Sequence, residues 1–123
     1  MRHTGRPQVV IVDDQAGFRE AARRLLEARG YEVVAEAGSA ATALDAVEQH
    51  QPTAVLLDVR LGDDDGFAVC GELTRLRPEL AVLLASDAEY EDFTDLIAAC
   101  GARGFVRKSR LARVDFGEFW PSV

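Results

Sequence analysis

Five short apolar runs punctuate the chain: Val9-Val10-Ile11-Val12, Val33-Val34-Ala35, Ala54-Val55-Leu56-Leu57, Ala81-Val82-Leu83-Leu84-Ala85 and Phe105-Val106. Most are continuous rather than alternating, and they are rich in Val, Ile and Leu. Such runs suit strands buried on both faces of a parallel sheet. Their spacing of about two dozen residues leaves room for one helix in each gap. The gaps carry helical periodicity. Residues 16–29 place Phe18, Ala21, Ala22, Leu25 and Leu26 on one side and Arg19, Glu20, Arg23, Arg24 and Glu27 on the other. Gly30 follows in the position just past a helix end. Residues 40–49 repeat the pattern with Ala43, Leu44 and Val47, behind Ser39 as N-cap. Residues 66–76 gather Phe67, Val69, Cys70, Leu73 and Leu76 before Pro78 stops the helix. Residues 89–100 gather Phe93, Leu96, Ile97 and Cys100, and Gly101 ends them. The pattern predicts an α/β chain with a (βα) unit repeated five times. Right-handed crossovers then wind it doubly, as an open parallel five-stranded sheet with helices on both faces.

The rhythm fails only at the end. Residues 110–120 contain Gly117 and show no clear period, so a fifth helix there is expected to be short or distorted. The 123 residues are expected to form one domain, with a core over 8–109 and an irregular element over 110–123. Phe116, Phe119 and Trp120 either dock on the domain or form an exposed patch for a partner.

Composition narrows the function. Hydrophobic residues make up 48% and charged residues 28%, as in ordinary globular domains. No stretch approaches the ~18 apolar residues of a membrane span. The segment Met1–Gln8 has no apolar run behind it long enough for a signal peptide, so a cytoplasmic address without a membrane partner is expected. The net charge of −7, from 21 acids against 14 bases, disfavours direct nucleic-acid binding, which needs surplus positive charge. Cys70 and Cys100 form no CxxC and read as small buried hydrophobes. The bases are thirteen Arg and a single Lys, Lys108.

In open α/β sheets the site lies beyond the C-terminal ends of the strands. The first predicted strand ends in Asp13-Asp14, the third in Asp58, the fourth in Ser86, and the fifth runs into Lys108. Three carboxylates, a hydroxyl and an ammonium therefore converge on one edge from distant parts of the sequence. Carboxylates brought together in this way repel strongly unless compensated. An all-oxygen set without His or Cys selects a hard divalent cation, and a small open carboxylate site suits Mg2+. A site with that cation and an ammonium is suited to hold phosphoryl oxygens. A carboxylate in it can also act as nucleophile and form an acyl phosphate.

These residues resemble the receiver domain of bacterial two-component response regulators, from about Val9 to Ser109. The matching elements are Asp13-Asp14, Asp58, Ser86, the segment Gly104-Phe105-Val106-Arg107-Lys108, and a loop after Asp58 that ends in the pair Asp65-Gly66. The resemblance implies a flavodoxin-like sheet with strand order 2-1-3-4-5. It implies Asp58 as phosphoacceptor, Asp14 as a direct Mg2+ ligand and Asp13 acting mainly through water. The backbone carbonyl of Arg60 would complete the protein ligands. Ser86 would donate a hydrogen bond to the phosphoryl group and move toward it, and Lys108 would pair with a phosphoryl oxygen. Phe105 would be the aromatic switch that turns inward when Ser86 moves. The implied phosphodonor is a sensor histidine kinase or a phosphotransfer protein. The implied output is a change in the face built by the fourth helix, fifth strand and fifth helix, which also offers a homodimer surface. The implied role is signalling rather than metabolic turnover.

Five positions depart from the family pattern. Gly62 stands where the family usually has Pro, which frees the loop. Asp87 follows Ser86 where a small residue is usual, adding negative charge beside an arriving phosphoryl group. Ser109 replaces the usual Pro after Lys108. Asp63 and Asp64 add acids, read as a solvated loop. The alternative to a phosphoacceptor is a degenerate receiver that serves as a phosphorylation-independent interaction or dimerisation module. Mg2+-dependent phosphatases of other doubly wound families commonly place a second acid two residues after the nucleophile, where this chain has Arg60.

Overall fold

The computed structural model describes residues 6–87 and 93–121. Five strands carry the fold: β1 (Gln8–Val12), β2 (Glu32–Ala37), β3 (Ala54–Asp58), β4 (Ala81–Ser86) and β5 (Gly104–Arg107). All pair in parallel, in the order β2-β1-β3-β4-β5. The sheet is thus the open, flavodoxin-like one. Reversal of strand order at β1 opens a crevice between β1 and β3 at the C-terminal edge.

Helices α1 (Ala16–Ala28), α2 (Ala40–His50), α3 (Gly66–Leu76) and α4 (Thr94–Cys100) fill the gaps between strands. Their ends follow local chemistry. Ser39 accepts from the Thr42 N–H while the Thr42 hydroxyl bonds back to the Ser39 N–H, which closes a capping box on α2. Asp65 accepts from the Phe67 N–H at the start of α3. Gly101 ends α4 with φ +82°, a left-handed conformation that favours glycine. Residues 89–92 of the expected fourth helix lie outside the described residues, as does most of the Met1–Gln8 segment.

Side chains alternate across each strand, so each helical layer receives its own core. Val10, Val12, Val55, Leu57, Val82 and Leu84 face α2 and α3. Val9, Ile11, Leu56 and Leu83 face α1 and the C-terminal segment. Both faces are covered, which is why the runs are continuous in Val, Ile and Leu.

In place of a fifth α-helix, residues Lys108–Arg113 and Phe116–Glu118 form two short 3-10 turns. The segment nonetheless docks firmly. Phe116 and Trp120 stack with ring centroids 5.0 Å apart, and both meet Tyr31 edge-on at 5.9 and 5.4 Å. Arg29 covers Phe116 at 5.5 Å and donates to the Val114 carbonyl at 2.8 Å and to the Ala112 carbonyl. Of the two arrangements open to these aromatics, the structure shows docking, with Phe116 and Trp120 buried and Phe119 partly so. Replacing Phe116 by Ala removes the centre of this cluster and should cost about 3–5 kcal/mol. Urea unfolding measures the loss, and an unchanged midpoint would show that the segment is not part of the cooperative unit.

Candidate functional site

Four of the five strands of the central sheet deliver a functional group to the same edge. Asp13 follows β1 directly, Asp58 closes β3, Ser86 closes β4 and Lys108 follows β5. The register aligns them, since Asp58 lies opposite Ala85 and Ser86 opposite Arg107. Asp13, Asp58 and Ser86 are buried, whereas Asp14 is exposed. One carboxylate oxygen from each of Asp13, Asp14 and Asp58 lies within 4.8 Å of the others.

Lys108 compensates this cluster. Its Nζ sits 2.6 Å from Asp13 Oδ2 and 3.2 Å from Asp58 Oδ2. The ammonium also lies 4.3 Å from the centroid of the Phe18 ring, a cation–π contact from α1. Burial alone would pull its pKa down, but the hydrogen bond to Asp13 and the charge of Asp58 outweigh burial and hold it above the ordinary lysine range. Burial raises the Asp58 pKa above the ordinary aspartate range. The Arg60 N–H and the Lys108 charge restrain that rise, and the Asp13 charge adds to it.

The carboxylates are oriented by backbone groups. Asp13 Oδ1 accepts from the Gln15 N–H at 2.8 Å, and Asp58 Oδ1 accepts from the Arg60 N–H at 3.1 Å. Arg19 donates to the Asp13 carbonyl at 2.6 Å and pairs with Glu36 at 3.0 Å, which ties the turn after β1 to α1 and β2. After β3, Arg60–Leu61 and Asp64–Asp65 form a two-residue antiparallel ladder. Gly66 closes it so tightly that a Cβ there would lie 2.2 Å from the Asp58 carbonyl oxygen and 2.6 Å from Val59 Cα. Only glycine fits. Gly62 has φ +62°, whereas proline is fixed near −65°, so this loop is built around glycine and excludes the family's usual residue.

Asp14, Asp58, Arg60, Gly62, Ser86 and Lys108 line one cavity of about 430 Å3, and Asp87 lines it too. Phe105 on β5 is half-buried and lies 5.8 Å from Phe93, which in turn meets Phe67 at 5.2 Å. Sequence reasoning missed three supports: Phe18 beneath the ammonium, Arg19 on the Asp13 carbonyl, and Asp64. The Asp64 carboxylate accepts from the Ala40 N–H at 2.9 Å, capping α2 across the loop instead of standing free in solvent. Phe18 and Asp64 carry no local signal, because each acts on a residue remote from it in sequence, and Arg19 reads as one more charged residue on the polar side of α1.

A doubly wound α/β domain with clustered carboxylates and one lysine at its C-terminal sheet edge defines a narrow class of protein. The chain matches the response regulator receiver domain family over residues 9–114, and it belongs to that family. It is 28% identical to the chemotaxis protein CheY of Bacillus subtilis over 101 residues, 82% of this chain and 84% of CheY. It is 30% identical to the transcriptional regulatory protein DegU of Brevibacillus brevis over 102 residues, 82% of this chain and 43% of DegU. The chain therefore spans less than half the length of that relative. Among solved structures it superposes on the signal receiver domain of the response regulator NarL from Mycobacterium tuberculosis with a TM-score of 0.77. That match has 31% sequence identity and covers 88% of this chain and 91% of the other. The chain is thus a receiver domain, the signalling domain of two-component response regulators. No helix among the described residues is long and apolar enough to cross a membrane.

Replacing Lys108 by Met leaves two buried carboxylates without their cation and should destabilise the fold at pH 7 by about 3–5 kcal/mol. The penalty should shrink with acid. The raised Asp58 pKa means that the folded state binds this proton more tightly than the unfolded chain does, so stability is recovered as pH falls through it. Denaturant unfolding of both proteins at several pH values checks the direction. A loss that stays constant on acidification would contradict it.

Proposed function

We propose that this domain accepts a phosphoryl group on Asp58 from a phosphohistidine-bearing kinase or phosphotransfer protein. The observation that carries the reading is the placement of Asp58. Its carboxylate is buried, oriented by the Arg60 N–H, 3.2 Å from the Lys108 ammonium, and lines the same cavity as Ser86 and Asp14. The carboxylate set fits Mg2+, because its three oxygens lie within 4.8 Å of one another and no nitrogen or sulfur ligand intervenes. Asp14 would bind the ion directly, Asp13 through water, and Asp58 and the Arg60 carbonyl would complete the protein's share. The chemistry the ion supplies is neutralisation of charge on phosphoryl oxygens.

The chain's own residues do the rest. Asp58 Oδ attacks phosphorus while the Arg60 N–H holds the carboxylate in place, and the P–N bond to the donor histidine breaks with its electron pair staying on the imidazole nitrogen, which leaves with the donor protein. Lys108 exchanges part of its pairing with Asp58 for a phosphoryl oxygen, a shift that a compact ammonium accommodates better than a planar guanidinium. Ser86 donates its hydroxyl to another phosphoryl oxygen. Its movement frees space toward Phe105, which turns inward and repacks against Phe93 and α4. The changed surface is that of α4, β5 and the 3-10 segment that replaces a fifth α-helix. A target protein or a second copy of the chain would read it.

Intact-mass spectrometry after incubation with phosphoramidate and Mg2+ tests the reading. Wild type should gain one phosphoryl group, Asp58→Asn none, and wild type with EDTA none. Equal gain in the Asn variant would place the chemistry elsewhere.

A further inference from the structure

Lys108 must change partners for Asp58 to react. At rest its ammonium lies 2.6 Å from Asp13 Oδ2 and 3.2 Å from Asp58 Oδ2, with the Phe18 ring centroid 4.3 Å away. Its side chain is only 8% exposed, so water is a poor substitute for any of the three. As an Asp58 oxygen bonds to phosphorus, the P–N bond of the donor breaks and its electron pair stays on the departing nitrogen. The Asp58 carboxylate then becomes the uncharged acyl part of a mixed anhydride. One of the two anions beside the ammonium is lost at that moment. The shorter pair, with Asp13, remains and draws the ammonium away from Asp58.

The Phe18 ring is the contact that does not change during the transfer. An aromatic face attracts a cation through its quadrupole and carries no net charge, so it holds the ammonium without neutralising it. The ring is itself well fixed. Phe18 lies in the first turn of α1, is partly buried, and packs against the core layer that includes Ile11, Leu26 and Phe116. The same turn fixes Asp13, whose Oδ1 accepts from the Gln15 N–H at 2.8 Å and whose carbonyl accepts from Arg19 at 2.6 Å.

We infer that Phe18 is a positioning residue for phosphoryl transfer, its ring face keeping the Lys108 ammonium within reach of the phosphoryl oxygens as Asp58 gives up its charge. The inference rests on Asp58 being the acceptor. The ring carries more of the hold on the ammonium in the transition state than at rest, so its loss slows transfer instead of weakening both states equally. A partly desolvated cation–π contact can change such a rate roughly three- to tenfold.

The experiment compares second-order rate constants for phosphorylation by phosphoramidate with Mg2+, read by intact-mass spectrometry. The proteins are wild type, Phe18→Leu, Phe18→Tyr, and a series with mono-, di- and trifluorinated phenylalanine at position 18. The rate should fall roughly three- to tenfold in Phe18→Leu and stay within about twofold of wild type in Phe18→Tyr. It should fall stepwise along the fluorinated series, because fluorine drains the ring face of negative charge while leaving shape and packing nearly unchanged. A purely structural role for the ring would leave that series flat. The series also keeps the test decisive if Phe18→Leu fails to fold. Equal rates across the fluorinated proteins, or an unchanged rate in folded Phe18→Leu, overturn the inference while leaving Asp58 as acceptor. A wild-type protein that gains no phosphoryl group overturns the proposed function, and this inference with it.

Discussion

The arrangement depends on a single ammonium. Asp13 and Asp58 end two neighbouring strands and are both buried, so their charges meet where water cannot screen them. Two like charges about 4 Å apart cost roughly 4 kcal/mol at an effective dielectric of 20, a large part of a domain's net stability. Lys108 removes that cost by sitting 2.6 Å from one carboxylate and 3.2 Å from the other, with Phe18 beneath it. Since Lys108 opens the C-terminal segment, its position depends on β5 pairing with β4 and on the docking of Phe116 and Trp120 against Tyr31. The site and the C-terminal packing are therefore mechanically linked.

The same ammonium keeps the site electrostatically balanced without filling it. Its two carboxylate partners each receive one backbone N–H on Oδ1, and their Oδ2 atoms face the Lys108 ammonium. The neighbouring loop is built to stay out of the way. Gly66 lets the backbone pass against the Asp58 carbonyl, Gly62 turns beside Asp14, and Asp64 spends its carboxylate on the α2 N-terminus. A side chain at Gly66 would push into the strand end, and one at Gly62 would strain a backbone held at φ +62°. Among the loop acids, Asp64 and Asp65 thus cap helices, whereas Asp87 remains in the cavity lining without an ion-pair partner among the described residues.

Much of this was legible in the sequence for physical reasons. Strands buried on both faces need continuous Val, Ile and Leu, so β1, β3 and β4 announced themselves. Ser39, Gly30 and Gly101 marked helix ends because capping and left-handed backbone have narrow residue requirements. The gathering of Asp13, Asp14, Asp58 and Lys108 followed from topology alone, since a parallel sheet puts every strand's C-terminal end on one edge. What stayed hidden acts across the fold. Phe18 is an ordinary apolar residue of α1 until Lys108 is placed above it. Asp64 looks like a solvated loop acid until α2 begins beside it. The two 3-10 turns near the C-terminus lack a hydrophobic period, so only tertiary packing of Phe116 and Trp120 reveals that the segment is ordered.

The most direct test of the account locates the phosphoryl group chemically. Protein incubated with phosphoramidate and Mg2+ is reduced with borohydride, which converts an aspartyl phosphate to homoserine, and the modified peptide is sequenced by mass spectrometry. The account predicts homoserine at position 58, with Asp13 and Asp14 unmodified. Homoserine at either of those positions, or phosphate retained on a hydroxyl, would contradict the assignment of Asp58 as the nucleophile at the end of β3.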